Sequence, residues 1–117
     1  VGGLDIAALA GVFLGGALCQ IPVVADGFIS VVSALIAVRL CPTVREYIIP
    51  SHLSKERACV MVLEELGLDP IINADMCLGE GTGAVALFPL LDMALGVYTK
   101  LHTFQTWNGN DTYKILK

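Results

Sequence analysis

The stretch Ile21-Pro22-Val23-Val24-Ala25-Asp26-Gly27-Phe28-Ile29-Ser30 decides the fold class. Its first half is a short apolar run rich in branched residues, with a proline tolerable only at the start of a strand, and predicts a buried strand over 21–25. Its second half turns at Asp26-Gly27 and enters another apolar run, where Ser30 is the expected N-cap of a helix over 30–40 stopped by Pro42. A buried strand followed at once by an apolar helix is the unit of a parallel sheet covered by helices.

The same alternation continues on both sides. Upstream, residues 4–19 predict a helix with Asp5 in its first turn, where a negative charge suits the dipole. That helix is apolar all round, the pattern of an element buried between a sheet and another layer. Downstream, Tyr47-Ile48-Ile49 predicts a second short strand running into Pro50-Ser51-His52-Leu53-Ser54. Ser54 is the expected cap of the next helix, with Glu56 in its first turn and Ala58, Cys59, Val62, Leu63 and Leu66 at helical spacing. Gly67 offers a left-handed C-terminal position and Pro70 follows. Ile71-Ile72 begins a third extended segment. Residues 82–102 predict a long helix with an apolar stripe of Ala84, Leu87, Phe88, Leu91, Leu95 and Tyr98, kinked at Pro89, which cannot bond the carbonyl of Val85. The expected fold is α/β, a three-layer parallel sheet with flanking helices of Rossmann-like type, present only in part. Residues 105–117, with the turn Asn108-Gly109-Asn110-Asp111 and no apolar period, read as a mobile tail outside the domain of 1–104.

Composition narrows the function. At 117 residues there is room for one small domain, and the start at Val1-Gly2-Gly3, without an initiator Met, reads as the interior of a longer protein. Apolar residues make up 56% and charged ones 15%, so some surface is expected to be covered by more chain, a partner or lipid. The run 6–25 carries no charge over 20 residues, yet glycines, Gln20 and Pro22 interrupt it and no aromatic or basic belt flanks it. Helix then strand is the stronger reading than a membrane span. Seven scattered basic residues and a net charge of −4 argue against a nucleic-acid partner. The cysteines, Cys19, Cys41, Cys59 and Cys77, form no close pair of the zinc-binding or redox kind, so no metal site is expected. Buried free thiols fit a reducing, cytoplasmic setting.

Chemistry concentrates in three segments. Leu78-Gly79-Glu80-Gly81-Thr82-Gly83-Ala84 sets one carboxylate between glycines, where a flat ligand can approach closely. Glu80 either accepts a proton or complements the helix that follows it. Asp26-Gly27-Phe28 and Ser51-His52-Leu53-Ser54 fall at the carboxyl ends of the first two strands, the edge where open α/β sheets bind ligands. Asp26 can bind a ligand or hold its own turn through backbone N–H groups. Ser54 lies beside free helix N–H groups suited to anions or polar ligand edges. His52 is expected to be a hydrogen-bonding scaffold, His102 a complement to a helix dipole, and Phe28 an aromatic wall or core residue.

Taken with Val1-Gly2-Gly3-Leu4-Asp5-Ile6-Ala7, these segments, in this order and spacing over residues 1–104, resemble the C-terminal part of the nicotinate-nucleotide:dimethylbenzimidazole phosphoribosyltransferase family. The resemblance implies transfer of a phosphoribosyl group from nicotinate mononucleotide to 5,6-dimethylbenzimidazole, giving α-ribazole 5′-phosphate and nicotinate for the lower ligand of cobalamin. It implies Glu80 as the general base, a substrate pocket formed by Ser54, Leu78, Gly79, Gly81, Asp26, Gly27 and Phe28, no metal or other cofactor, and a homodimer. The family's glycine-rich phosphate loop, second glutamate and nucleotide-binding lysine would lie before Val1, so the chain alone is expected to be inactive. Cys77 stands where a basic residue is common in the family. The rival class is a non-catalytic binding protein that keeps the cavity and only captures or delivers a benzimidazole-like base.

Overall fold

A computed structural model describes residues 3–77 and 79–101 of the chain. Helix α1 (Leu4–Leu18) precedes strand β1 (Val23–Ala25), helix α2 (Phe28–Leu40), a 3₁₀ segment (Pro42–Tyr47), strand β2 (Ile48–Pro50), helix α3 (Arg57–Leu66) and helix α4 (Thr82–Lys100). β1 and β2 pair in parallel, Val23 opposite Ile48, Val24 opposite Ile49 and Ala25 opposite Pro50. The ladder continues one step through a parallel bridge between His52 and Ile72, so the third extended segment contributes a single bridge rather than a strand. The fold is α/β, with two strands of the expected sheet among the described residues.

The core lies where α1, α2 and α3 meet the sheet. Ala10 and Phe13 of α1, Ala25 of β1, Val31, Ala34 and Ala37 of α2, Val44, Ile48, and Cys59, Leu63 and Leu66 of α3 form one buried cluster. Small residues on the buried face of α2 let α1 approach it closely, whereas α3 buries one stripe at helical spacing, as an amphipathic helix should. Gly67 ends α3 at φ +62°, and Arg45 donates to the carbonyls of Leu66 and Gly67, each at 2.5 Å, satisfying acceptors that the helix end leaves free.

Several expectations are corrected. β1 starts at Val23, leaving Ile21 and Pro22 exposed, because the Gly16 carbonyl holds the chain back through the Ile21 N–H before pairing begins. α2 starts at Phe28 with Gly27 as its N-cap. Ser30 sits a turn inside, where its hydroxyl accepts the Gly27 N–H at 2.9 Å and donates to the Gly27 carbonyl at 2.8 Å. α3 starts at Arg57 with Glu56 at the cap, since Glu56 is still extended at ψ 120°. Ser54 is therefore two residues early and only accepts the Glu56 N–H at 3.4 Å.

α1 and α4 are more exposed than their composition predicts. Only Ala10 and Phe13 of α1 are buried, and Leu4 and Leu18 face solvent. In α4 only Gly83 and Leu87 are buried, while Phe88, Leu95 and Tyr98 of the expected stripe are exposed. α4 is continuous through Pro89 and long and apolar enough to cross a membrane by length and composition. His102 and the tail 105–117 lie outside the described residues.

Candidate active site

The sheet brings the three chemical segments to one edge. Beyond β1 the chain passes Asp26 and Gly27 into α2, and beyond β2 it passes Ser51 and His52 toward α3. The Ser51 N–H donates to the Ala25 carbonyl at 2.9 Å, which extends the parallel ladder and sets the two loops side by side. The Ser51 side chain, fully buried, reaches the same carbonyl at 2.8 Å and that of Asp26 at 2.9 Å.

The third segment arrives through α4. Gly79, Glu80 and Gly81 are consecutive residues in the left-handed region, at φ +72°, +55° and +81°. Glycine takes that conformation freely, whereas a glutamate there costs on the order of 1 kcal/mol and needs surroundings that hold it. Two contacts do so. Thr82 donates to the Gly79 carbonyl through its hydroxyl at 2.7 Å. The Asp26 carboxylate accepts the Gly81 N–H on Oδ2 at 3.0 Å and the Ala84 N–H on Oδ1 at 2.9 Å. Gly81, the N-cap of α4, has no side chain with which to satisfy these donors, so a residue from the far end of β1 does it. Asp26 accepts backbone N–H bonds as expected, but from α4 rather than from its own turn.

Gly83 makes the second close approach. A Cβ there would overlap Nδ1 and Cε1 of His52, so the absence of a side chain lets the first turn of α4 lie against the imidazole. Asp26 and His52 thus meet the Glu80 segment from the loops that follow the two strands.

These elements line an open cavity of about 500 Å³. Asp26, Gly27, Phe28, Ser54, Gly79, Glu80 and Gly81 all line it; Leu78, the remaining expected residue, is outside the described residues. Glu80 is exposed at its rim, while Phe28 and Ser54 are partly buried in its wall. The lining also includes Leu9 of α1, Glu56, Cys77 and His52. Leu9 had no local signal, since one apolar helix residue looks like another until the helix is docked. Glu56 and His52 share the loop of Ser54 and were legible only as a helix-start carboxylate and a scaffold. No group of side chains suited to a metal ion occurs among the described residues. The arrangement offers a glycine-framed carboxylate, an aromatic wall and apolar surface, which together suit a flat heterocycle carrying a removable proton.

Comparison with known proteins bears on this geometry. A family model described as phosphoribosyltransferase (DBI_PRT) matches residues 1–107. The nicotinate-nucleotide–dimethylbenzimidazole phosphoribosyltransferase of Acetivibrio thermocellus is 51% identical over 105 residues, covering 90% of this chain and 30% of the relative. The enzyme of the same name from Clostridium acetobutylicum is 50% identical over all 117 residues, which are 33% of its own length. The solved structure of the enzyme of that name from Thermus thermophilus superposes with a TM-score of 0.83 at 42% identity, over 91% of this chain and 32% of that one. The chain therefore spans about a third of the length of the relatives it matches. With the matched residues running from α1 through α4 and so including every segment around the cavity, the chain belongs to the phosphoribosyltransferase family.

Proposed function

We propose that this chain supplies the base-activating part of a transferase that moves a phosphoribosyl group from nicotinate mononucleotide to 5,6-dimethylbenzimidazole. The observation that carries the reading is Glu80, the left-handed carboxylate framed by glycines on the rim of a cavity, within the stretch that the family model matches. Its carboxylate takes the N–H proton of the benzimidazole. The lone pair of the other ring nitrogen then attacks the anomeric carbon, the bond to the nicotinate nitrogen breaks, and its electron pair neutralises the pyridinium. Inversion gives α-ribazole 5′-phosphate and nicotinate. The free N–H groups at the start of α3 and Ser54 offer polar contacts to the phosphoribosyl donor, and Phe28 a wall for the base. Leu78 belongs to the same pocket in this reading.

The chain alone is inactive in this proposal, because the phosphate-binding loop is supplied by sequence that its longer relatives carry. The exposed apolar faces of α1 and α4 are covered by that sequence and by a second copy in a cytoplasmic homodimer, with no nucleic-acid or membrane partner. Division of the uncharged run 6–25 into a helix, an exposed link and a sheet strand supports this reading over a membrane span.

The test uses the full-length protein, this chain joined to the upstream part found in its relatives, and follows α-ribazole 5′-phosphate by chromatography. Glu80→Gln is expected to lower kcat by about 10²- to 10⁴-fold with the base still bound. No product from either form, with the base bound by both, would instead make the protein a carrier of benzimidazole-like bases.

A further inference from the structure

The hydrogen bonds around Ser51 determine which nitrogen of His52 keeps a free lone pair. Ser51 Oγ lies 2.8 Å from the Ala25 carbonyl, 2.9 Å from the Asp26 carbonyl and 3.0 Å from His52 Nδ1. Carbonyl oxygens can only accept, so the one hydroxyl proton turns toward them. What joins Ser51 to His52 is then an N–H on Nδ1, donated to the hydroxyl oxygen. In the neutral ring this leaves Nε2 without a proton, an acceptor.

His52 lines the pocket although the residue is only 4% exposed, and its one bond among the described residues is on Nδ1, none of them pairing with Nε2. Ser51 bonds Nδ1 and the Gly83 backbone packs against the same Nδ1 side of the ring, so the imidazole is held in place before a ligand arrives.

We infer that His52 is a ribose-binding residue, its Nε2 accepting a hydrogen bond from a ribose hydroxyl of the phosphoribosyl donor. The inference rests on the transferase reading above and follows from the donors that its substrates possess. Dimethylbenzimidazole has a single N–H, and Glu80 takes it. The phosphate and carboxylate of nicotinate mononucleotide are ionised near neutral pH and accept only. The 2′- and 3′-hydroxyls are the donors that remain.

The test compares nicotinate mononucleotide with its 2′-deoxy and 3′-deoxy analogues in the full-length protein and in His52→Asn and His52→Gln. Asn places a donor near the Nδ1 position, keeping the Ser51 bond but vacating the cavity, whereas Gln reaches the Nε2 position with an acceptor. Loss of one such bond is expected to raise KM for the nucleotide about 5- to 30-fold in His52→Asn with kcat little changed, and His52→Gln should recover most of it. One deoxy analogue should show the same loss in the unmodified protein and no further loss in His52→Asn. Equal added losses in both backgrounds would overturn the inference. Independently of any variant's folding, the ¹⁵N spectrum of the labelled imidazole should show a proton on Nδ1 and a bare Nε2 that shifts on nucleotide binding; the opposite tautomer would overturn it. If the unmodified protein forms no product, the transferase reading fails, and calorimetry with the nucleotide and its deoxy analogues still decides the role of His52. Undetectable nucleotide binding, or equal affinity for all three ligands, would overturn that role as well.

Discussion

Asp26, at the end of β1, caps Gly81, at the start of α4, across 55 residues of sequence, with 3.0 Å between Oδ2 and the backbone nitrogen. The other oxygen of the same carboxylate takes the Ala84 N–H. A charged acceptor at the positive end of a helix is favourable twice over, through two charge-assisted bonds and through the dipole. Because Gly81 adjoins Glu80, the backbone that presents the glutamate is anchored directly to the sheet.

Asp26→Ala should therefore destabilise by about 2–4 kcal/mol, combining a lost N-cap with two donors left unsatisfied. Asp26→Asn retains one acceptor and should cost roughly half of that. Denaturant unfolding of the full-length protein gives the energies, and amide exchange at Gly81 and Ala84 should quicken most. A cost under ~0.5 kcal/mol would mean that the first turn of α4 is held by other contacts.

Gly83→Ala tests the second anchor. Its methyl would overlap the His52 ring, so either α4 lifts or the imidazole leaves its bond to Ser51. Overpacking of this kind costs about 1–3 kcal/mol, and pairing it with His52→Ala should relieve part of the strain. Thermal unfolding of the single and double variants reads the coupling; strictly additive losses would show that the two residues do not press on each other.

Much of this architecture was legible because it rests on local chemistry. The apolar period of 57–66 and the Gly67 stop marked α3, and the branched run before Asp26 marked β1. The start of α2 was misread because its cap residue is silent: Gly27 carries no side chain to advertise a helix start, so the nearby hydroxyl of Ser30 drew the boundary inward. The Asp26 bonds to α4 were illegible because their donors are backbone groups that any residue would supply. The exposure of α1 and α4 has a related cause. A helix that is apolar on every side states that it will be covered, not by which part of an assembly.

Gly67→Ala probes a feature that was read from sequence and found in place. The residue sits at φ +62°, and a Cβ would also come within 2.9 Å of Arg45 Nη2. The expected cost is about 1 kcal/mol from the left-handed backbone, plus whatever the displaced guanidinium loses at the α3 carbonyls. Chemical denaturation gives the value, and an unchanged midpoint would show that the end of α3 unwinds without penalty.

Cys59 links packing to pH. It has no exposed surface, and burial raises its thiol pKa, partly offset by the backbone bond with Ser54 and reinforced by the charge of Glu56. The folded state therefore keeps this proton to higher pH than the unfolded chain, where a thiol ionises at about 8.5. Below that pH the contribution to stability is complete; above it the unfolded state binds fewer protons, and the contribution is lost as pH rises through the folded pKa. Cys19 and Cys77 are exposed and Cys41 is intermediate. Iodoacetamide labelling followed by peptide mass spectrometry should modify Cys19 and Cys77 first, Cys41 more slowly, and Cys59 only on unfolding, even at pH ~9.5. Labelling of Cys59 at the rate of Cys77 in the folded protein would mean that α3 opens locally, removing the rigid floor beneath the Ser54 loop.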